Sequence, residues 1–334
     1  MPAATATLPR IRVLATGGTI AGAQIRGARG YKAAALSTGA LIGAVPQLSA
    51  LARLDVEQVA AIGSQDMDDA TWLTLAARTQ AALDQPAVAG VVITHGTDTM
   101  EETAFFLNLV VHSEKPVVLV GAMRPATAIS ADGPMNLYNA IAVAACPAAR
   151  GRGVLVVAND EIHFAREVAK TNTTQVGTFR ATHRGLAGVV NSGRLHLYGP
   201  PTRRHTHQSE FSLAGLTALP RVDIVYAHAG MDRTLIDAAV RAGARGLIIA
   251  GVGDGNLGAA ALAAATAAAR AGIAVVRSSR TGGGVVERNI EIDDDAPGFI
   301  AADELNPQKA RVLLLLGLTR SNDPRVLQEF FFTY

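Results

Sequence analysis

The sequence predicts an α/β fold: a larger N-terminal parallel-sheet domain followed by a smaller C-terminal α/β domain. Three observations predict it. Apolar, β-branched runs alternate with amphipathic helical stretches, the pattern of a parallel sheet with helices on both faces. One polar, proline-bearing segment without periodicity, Gly199-Pro200-Pro201-Thr202-Arg203-Arg204-His205-Thr206-His207, interrupts that rhythm, and the alternation resumes after it. The 334 residues, 49% hydrophobic, suffice for two cores. The expected boundaries are residues 1–199 and 222–334, joined by a linker over 200–221.

The first strand is expected over Ile11–Ala15, where an apolar run stops at the glycine pair Gly17-Gly18. Strands follow over Val56–Ile62, Ala89–Thr94, Pro116–Val120 and Gly153–Ala158, with helices over Asp69–Leu83, Thr99–Val111 and Pro134–Ala145. Beyond the linker come strand Val222–Ala227, helix Arg233–Ala242, strand Gly246–Ala250, helix Leu257–Ala271 and strand Ile273–Arg277. Helices Pro307–Gly317 and Pro324–Phe332 close the chain. The alanine-rich stretch from Gly258 to Ala269 ends at Arg270 and reads as a helix lying close on a sheet, not a membrane span.

Composition excludes several classes. The chain carries 30 basic and 28 acidic residues without a basic block, and only 4% aromatics, so nucleic acid is not an expected partner. Cys146 stands alone, which rules out an intrachain disulfide and a thiolate zinc site; it is expected as a small buried hydrophobe on a helix. His95, His183, His205 and His207 lack metal-ligand spacing, and no metal is expected. The glycine turn is not G-x-G-x-x-G, and neither a Walker A pattern nor a G-x-S-x-G elbow occurs. Met1 to Pro9 has no charged and apolar leader pattern, which a processed form would also show.

Two threonines sit in short turns just after apolar strands: Thr19 in Gly17-Gly18-Thr19-Ile20-Ala21-Gly22 and Thr97 in Thr94-His95-Gly96-Thr97-Asp98-Thr99. Ligands of open α/β sheets collect at the carboxyl ends of strands, so the loops at Thr19, Ser64-Gln65-Asp66 and Thr97-Asp98 are expected to converge on one sheet edge. The glycine pair lets backbone N–H groups approach a ligand, with Thr19 expected in an exposed, mobile position. A hydroxyl attacks only when something takes its proton. Tyr31 and Lys170 are the candidates, with Asp98 orienting the lysine. The residues alone leave other readings open: Thr19 as a turn or cap residue, Asp98 with Glu101 as a capping box, Lys170 as a solvated surface lysine.

The same segments resemble the bacterial type II L-asparaginases. Leu14-Ala15-Thr16-Gly17-Gly18-Thr19-Ile20-Ala21-Gly22 is similar to the family's first signature, and Ile93-Thr94-His95-Gly96-Thr97-Asp98-Thr99-Met100-Glu101-Glu102-Thr103-Ala104 to its second. Ile62 to Met67, Val120 to Pro125, Ser130 to Pro134, Lys170 to Thr174, Ala250 to Leu257, Val276 to Arg280 and Leu305 to Arg311 fit as well, so the resemblance runs from the first strand to the C-terminus. It implies a flavodoxin-like N-terminal domain and hydrolysis of L-asparagine to L-aspartate and ammonia, with weaker action on L-glutamine and no cofactor. The alternatives are a glutamine-preferring enzyme or a non-catalytic amino-acid-binding module.

By resemblance Thr19 is the acylated nucleophile, Tyr31 its helper on a lid loop, and Thr97, Asp98 and Lys170 a second hydroxyl–carboxylate–lysine group. Ser64, Gln65, Thr97 and Asp98 hold substrate, and Asn256 and Glu291 come from a neighbouring subunit of a homotetramer built from intimate dimers. A trimmed leader would place such a protein in the periplasm or outside the cell, an untrimmed chain in the cytoplasm. Three departures stand out: a short, basic lid loop over Arg26–Lys32, Asp254 in place of an amide near Asn256, and no cysteine pair.

Overall fold

The computed structural model describes residues 7–24, 31–32 and 38–334, with the side chains of all of these except 23, 24, 31, 32 and 38. The chain separates into two units, Met1–Ser209 and Glu210–Tyr334.

The first unit begins with β1 (Arg10–Gly17), the short antiparallel pair β2 (Ala23–Gln24) and β3 (Tyr31–Lys32), α1 (Thr38–Gly43) and β4 (Arg53–Ile62). It continues through α2 (Asp69–Leu83), β5 (Val88–Thr94), α3 (Met100–Val110), β6 (Val117–Val120), α4 (Gly133–Ala145) and β7 (Val154–Ala158). In space β4, β1, β5, β6 and β7 lie side by side and parallel. Counting parallel strands along the chain, that order is 2-1-3-4-5, the flavodoxin-like winding, and it reverses between β1 and β5.

Three antiparallel strands extend this sheet beyond β7: β8 (Glu161–Phe164), then, after the hairpin β9 (Val168–Lys170) and β10 (Phe179–Ala181), β11 (Gly188–Asn191) and β12 (Arg194–Leu197). The expected sheet was parallel throughout. The addition follows from the short connections after β7, which permit hairpins but no crossover helix.

Alternate residues of the parallel strands face opposite layers. Ile11, Val13, Val92, Val118, Val120, Leu155 and Val157 pack with Leu137, Ala140 and Ile141 of α4, all essentially inaccessible to solvent. Each such valine, leucine or isoleucine side chain contributes roughly 1.5–3 kcal/mol of transfer free energy. On α2 and α3, Trp72 stacks on Phe106 at 4.9 Å and donates its indole N–H to Thr103 Oγ1 at 2.9 Å. Asp68 caps α2 by accepting from the Thr71 N–H at 2.8 Å. Cys146 is half-buried at the C-cap of α4 and not buried within the helix, because α4 ends one residue earlier. His205, Thr206 and Ser209 are buried at the end of the first unit, with the Ser209 hydroxyl donating to the Leu109 carbonyl.

The second unit is β13 (Val222–Tyr226), α5 (Thr234–Arg241), β14 (Gly246–Gly251), α6 (Ala259–Arg270), β15 (Ala274–Ser279), β16 (Ile300–Ala301), α7 (Pro307–Gly317) and α8 (Pro324–Thr333). Its four strands are parallel and in chain order. Ala261, Ala264, Ala265 and Ala268 of α6 form an i, i+3, i+4, i+7 face against Leu247 and Ile249. The alanine-rich helix therefore lies on the sheet, as its sequence predicts. Among the described residues no helix is long and apolar enough to cross a membrane.

Candidate active site

The carboxyl ends of β5, β1 and β4 are adjacent at one edge of the first sheet, and the loops that leave them carry Thr97-Asp98, Thr19 and Ser64-Gln65. This edge is the strand-order reversal, where an open α/β sheet opens a crevice for ligand. The three loops are locked by backbone contact. Gly18, at φ 81° and ψ −176°, donates its N–H to the Ile62 carbonyl at 3.0 Å. A Cβ on Gly18 would stand 2.3 Å from the Gly96 nitrogen, and a Cβ on Gly96 2.6 Å from Ser64 Oγ. The glycines in both signatures are thus required by close approach of one loop to the next. Below them the Thr16 hydroxyl donates to the Thr94 carbonyl at 2.9 Å, tying β1 to β5.

Thr19 opens a 3-10 turn over Thr19–Ala21, closed by the Gly22 N–H on the Thr19 carbonyl at 2.8 Å. It is 8% exposed. The expectation of an exposed Thr19 is corrected: its side chain is buried. Tyr31 lies in β3, but its side chain falls outside the described residues.

Thr97, itself buried, accepts from Lys170 Nζ at 2.9 Å, and the same ammonium donates to Asp98 Oδ1 at 2.6 Å. Lys170 is thus mostly buried and doubly engaged, whereas the Asp98 side chain stays open to solvent. Asp98 does not start a capping box: α3 begins at Met100, Thr99 is its N-cap, and no side chain caps it. The Asp98 N–H is taken instead by Ser64 Oγ at 3.1 Å, and the Thr99 hydroxyl donates to the Ser64 carbonyl at 2.7 Å. Ser64 is buried and holds the second loop to the third, while Gln65 is exposed beside it.

Lys170 ends β9, opposite Phe179 in β10. The loop between them is riveted by Asn172, whose Oδ1 accepts from the Thr174 and Gln175 N–H groups at 3.0 and 2.9 Å. The Thr171 hydroxyl donates to the Thr178 carbonyl at 2.9 Å. The Lys-Thr-Asn-Thr-Thr run is therefore a rigid hairpin tip that delivers the lysine.

His95 is fully buried in the Thr97 turn. Burial pushes its pKa down to about 4, opposed by its hydrogen bond to the Gly96 carbonyl. A carbonyl can only accept, so Nδ1 carries the proton in that 2.7 Å contact, and the ring is neutral. The signal for this burial in the sequence is the place of His95 inside a turn that directly follows the apolar strand Val88–Thr94.

In the second unit Asn256 Nδ2 donates to Glu291 Oε2 at 2.6 Å, so the two residues singled out there meet although 35 positions apart. Asp254, the departure from the amide pattern, accepts from the Glu287 N–H at 2.9 Å.

Thr19, Thr97, Asp98 and Lys170 thus stand at the switch point of the first unit's doubly wound sheet, where open α/β sheets receive ligands. The family described as "Asparaginase, N-terminal" matches residues 10–203, and "Glutaminase/Asparaginase C-terminal domain" matches residues 221–331. The chain is 49% identical over 329 residues to L-asparaginase 2 of Bacillus subtilis, covering 98% of this chain and 87% of that one. It is 48% identical over 332 residues to L-asparaginase 2 of Escherichia coli, covering 99% and 95%. Identity to a glutaminase-asparaginase of Pseudomonas fluorescens is 43% over 330 residues, covering 98% and 91%. The chain belongs to the asparaginase family and is an amidohydrolase.

Proposed function

We propose that the protein hydrolyses L-asparagine to L-aspartate and ammonia through a threonine acyl-enzyme, with weaker action on L-glutamine. The observation that carries this is the Lys170 ammonium bridging Thr97 Oγ1 and Asp98 Oδ1 at the sheet edge that also presents Thr19. Thr19 Oγ attacks the side-chain amide carbon, with Tyr31 assisting the loss of its proton. The C–N bond breaks, ammonia leaves with a proton, and a β-aspartyl ester remains on Thr19. Water then attacks that ester, and its proton returns to Thr19 as aspartate is released. Because Lys170 donates to Thr97 Oγ1, the Thr97 hydroxyl is free to direct its own proton away from the lysine. Backbone N–H groups of the glycine turns stabilise the oxyanion.

Ser64, Gln65, Thr97 and Asp98 bind the amino-acid head group. Asn256 and Glu291 complete the site of a neighbouring subunit in a homotetramer built from intimate dimers, where a second carboxylate favours the substrate ammonium. The domains are read as 1–199 and 222–334 with a linker over 200–221.

A second reading, preference for glutamine, is favoured by the glutaminase-asparaginase relative. One methylene in a pocket discriminates by only about 1–3 kcal/mol, so both amides are expected to react. Against glutamine preference, Ser64-Gln65-Asp66 resembles the asparagine-preferring pattern. Ammonia release measured side by side on the two substrates decides. A higher kcat/KM on glutamine overturns the preference, and no release from either overturns the enzymatic reading in favour of a binding module.

A further inference from the structure

Arg277 projects from β15 into the interior of the second unit and is 1% exposed. Its Nε and Nη2 donate to the two oxygens of the fully buried Asp294 at 2.6 and 2.7 Å. Nη2 also donates to the Glu287 carbonyl at 2.9 Å, and Nη1 to the Asp254 carbonyl at 2.9 Å. One guanidinium therefore grips two separate loops. The first is the turn closed by Val252 and Asn256, whose backbones exchange hydrogen bonds of 3.0 and 2.8 Å. The second runs from Glu287 to Asp294 and is closed on itself. There the Asn289 N–H donates to Asp294 Oδ2 at 2.9 Å, and the Asp294 N–H to Asn289 Oδ1 at 2.8 Å. Asp254 adds a second clasp between the loops through the Glu287 N–H at 2.9 Å. The first loop ends in Asn256, the second carries Glu291, and these two meet at 2.6 Å.

We propose that Arg277, seconded by Asp294 and Asp254, is a positioning residue for the reaction: it fixes in one register the loops that present Asn256 and Glu291. The proposal rests on the reading of that pair as substrate-binding. Stability alone does not call for this device, because well-packed apolar residues replace a buried ion pair at little or no loss. What apolar residues lack is direction. A planar fork that binds a carboxylate edge-on and two backbone carbonyls admits one relative placement of the loops. Lysine cannot copy it, being a point charge without the fork. The signal was legible in the sequence as an arginine inside the apolar strand Ala274-Val275-Val276-Arg277.

The test is a double-substitution cycle on the full-length enzyme as it assembles, with asparagine kinetics and thermal unfolding read for each variant. Arg277→Lys is expected to raise KM at least ~10-fold with kcat within ~3-fold, as loss of substrate positioning requires. Glu291→Gln is expected to raise KM by itself. In the Glu291→Gln background Arg277→Lys should add less than ~2-fold, because Asn256 and Glu291 act as one hydrogen-bonded pair and an effect transmitted through that pair is not counted twice. Asp254→Ala removes only the clasp to Glu287 and should raise KM in the same direction by less; it carries the test if Arg277→Lys does not fold. The proposal is overturned by a folded Arg277→Lys with unchanged KM, by factors that multiply with those of Glu291→Gln, or, where Arg277→Lys does not fold, by unchanged KM in Asp254→Ala. Unchanged KM in Glu291→Gln overturns the reading beneath it, and the proposal with it.

Discussion

Replacing Gly18 by alanine tests whether contact between the Thr19 and Thr97 turns builds the site. The new Cβ would meet the Gly96 nitrogen at 2.3 Å, its Cα at 2.5 Å and the His95 carbonyl carbon at 2.8 Å, all backbone atoms that no rotamer change removes. Restoring an ordinary contact of 3.4 Å means moving the turns apart by about 1.1 Å. Gly18 also sits at φ 81°, ψ −176°, a glycine-only region that costs an alanine roughly 1–3 kcal/mol. Overpacking adds roughly 1–3 kcal/mol more. At ~2–4 °C per kcal/mol for a unit of this size, the thermal midpoint should fall by several degrees to some 20 °C. A 1 Å displacement between reacting groups costs on the order of 100-fold in rate. Ammonia release, read with circular dichroism, should show a folded protein with kcat/KM down about 100-fold. Gly43→Ala is the control: nothing lies within 4 Å of its Cβ position, and rate and midpoint should hold. A Gly18→Ala enzyme within about threefold of native kcat/KM would show that contact between the two turns does not set the geometry of the reacting groups.

Lys170→Met should lower kcat ~100-fold or more while KM changes little, since the group that orients the Thr97 hydroxyl acts in the transition state; a change in KM alone would make Lys170 a binding residue. Ser64→Ala leaves the Asp98 N–H without its acceptor and should destabilise by about 1–3 kcal/mol while raising KM; an unaltered denaturation midpoint contradicts the pinning role. His95 has its pKa depressed to about 4 in the fold, by burial, against 6.5 as its ordinary value. The unfolded chain therefore binds more protons in between, so this contribution is complete above pH 6.5 and is lost as pH falls toward 4. Denaturant midpoints across that window should slope less in His95→Gln than in the parent, and equal slopes would contradict the assignment. Asp68→Ala removes the cap of α2 and should cost roughly 0.5–2 kcal/mol with kcat/KM unchanged. Lost activity there would show that α2 reaches the site.

The parallel core was legible because its signals are local. Helices Asp69–Leu83 and Pro307–Gly317 fall where the sequence predicts, one behind an aspartate cap and the other behind Asn306 with proline at the first position. The strands β1, β5 and β6 read as β-branched runs because both faces are covered. Strands β8 to β12 were not found. They are three or four residues long, and β12 alternates exposed and half-buried positions. Their pairing partners, not their own composition, make them strands. Ser192 at φ 48° and Gly193 at φ 80° form the turn between β11 and β12, and that Ser-Gly pair was the missed signal.

At the site, glycines after apolar strands located three converging loops without any partner information. That Gly18 abuts Gly96, and Gly96 abuts Ser64, could not be read, since contacts between loops far apart in sequence leave no periodicity. The same blindness produced the exposed Thr19 and the capping-box reading of Asp98. Each treats a residue by its neighbours in the chain, while packing across the sheet edge decides its surroundings.

Turnover through a threonine ester requires that Thr19 become acylated. Enzyme mixed with L-asparagine, quenched in acid within a turnover and mapped by peptide mass spectrometry addresses it directly. One aspartyl group is expected on the peptide containing Thr19, absent from a folded Thr19→Ala variant that binds asparagine but does not turn it over. An adduct on the Thr97 peptide instead, or near-native turnover by Thr19→Ala, would contradict it.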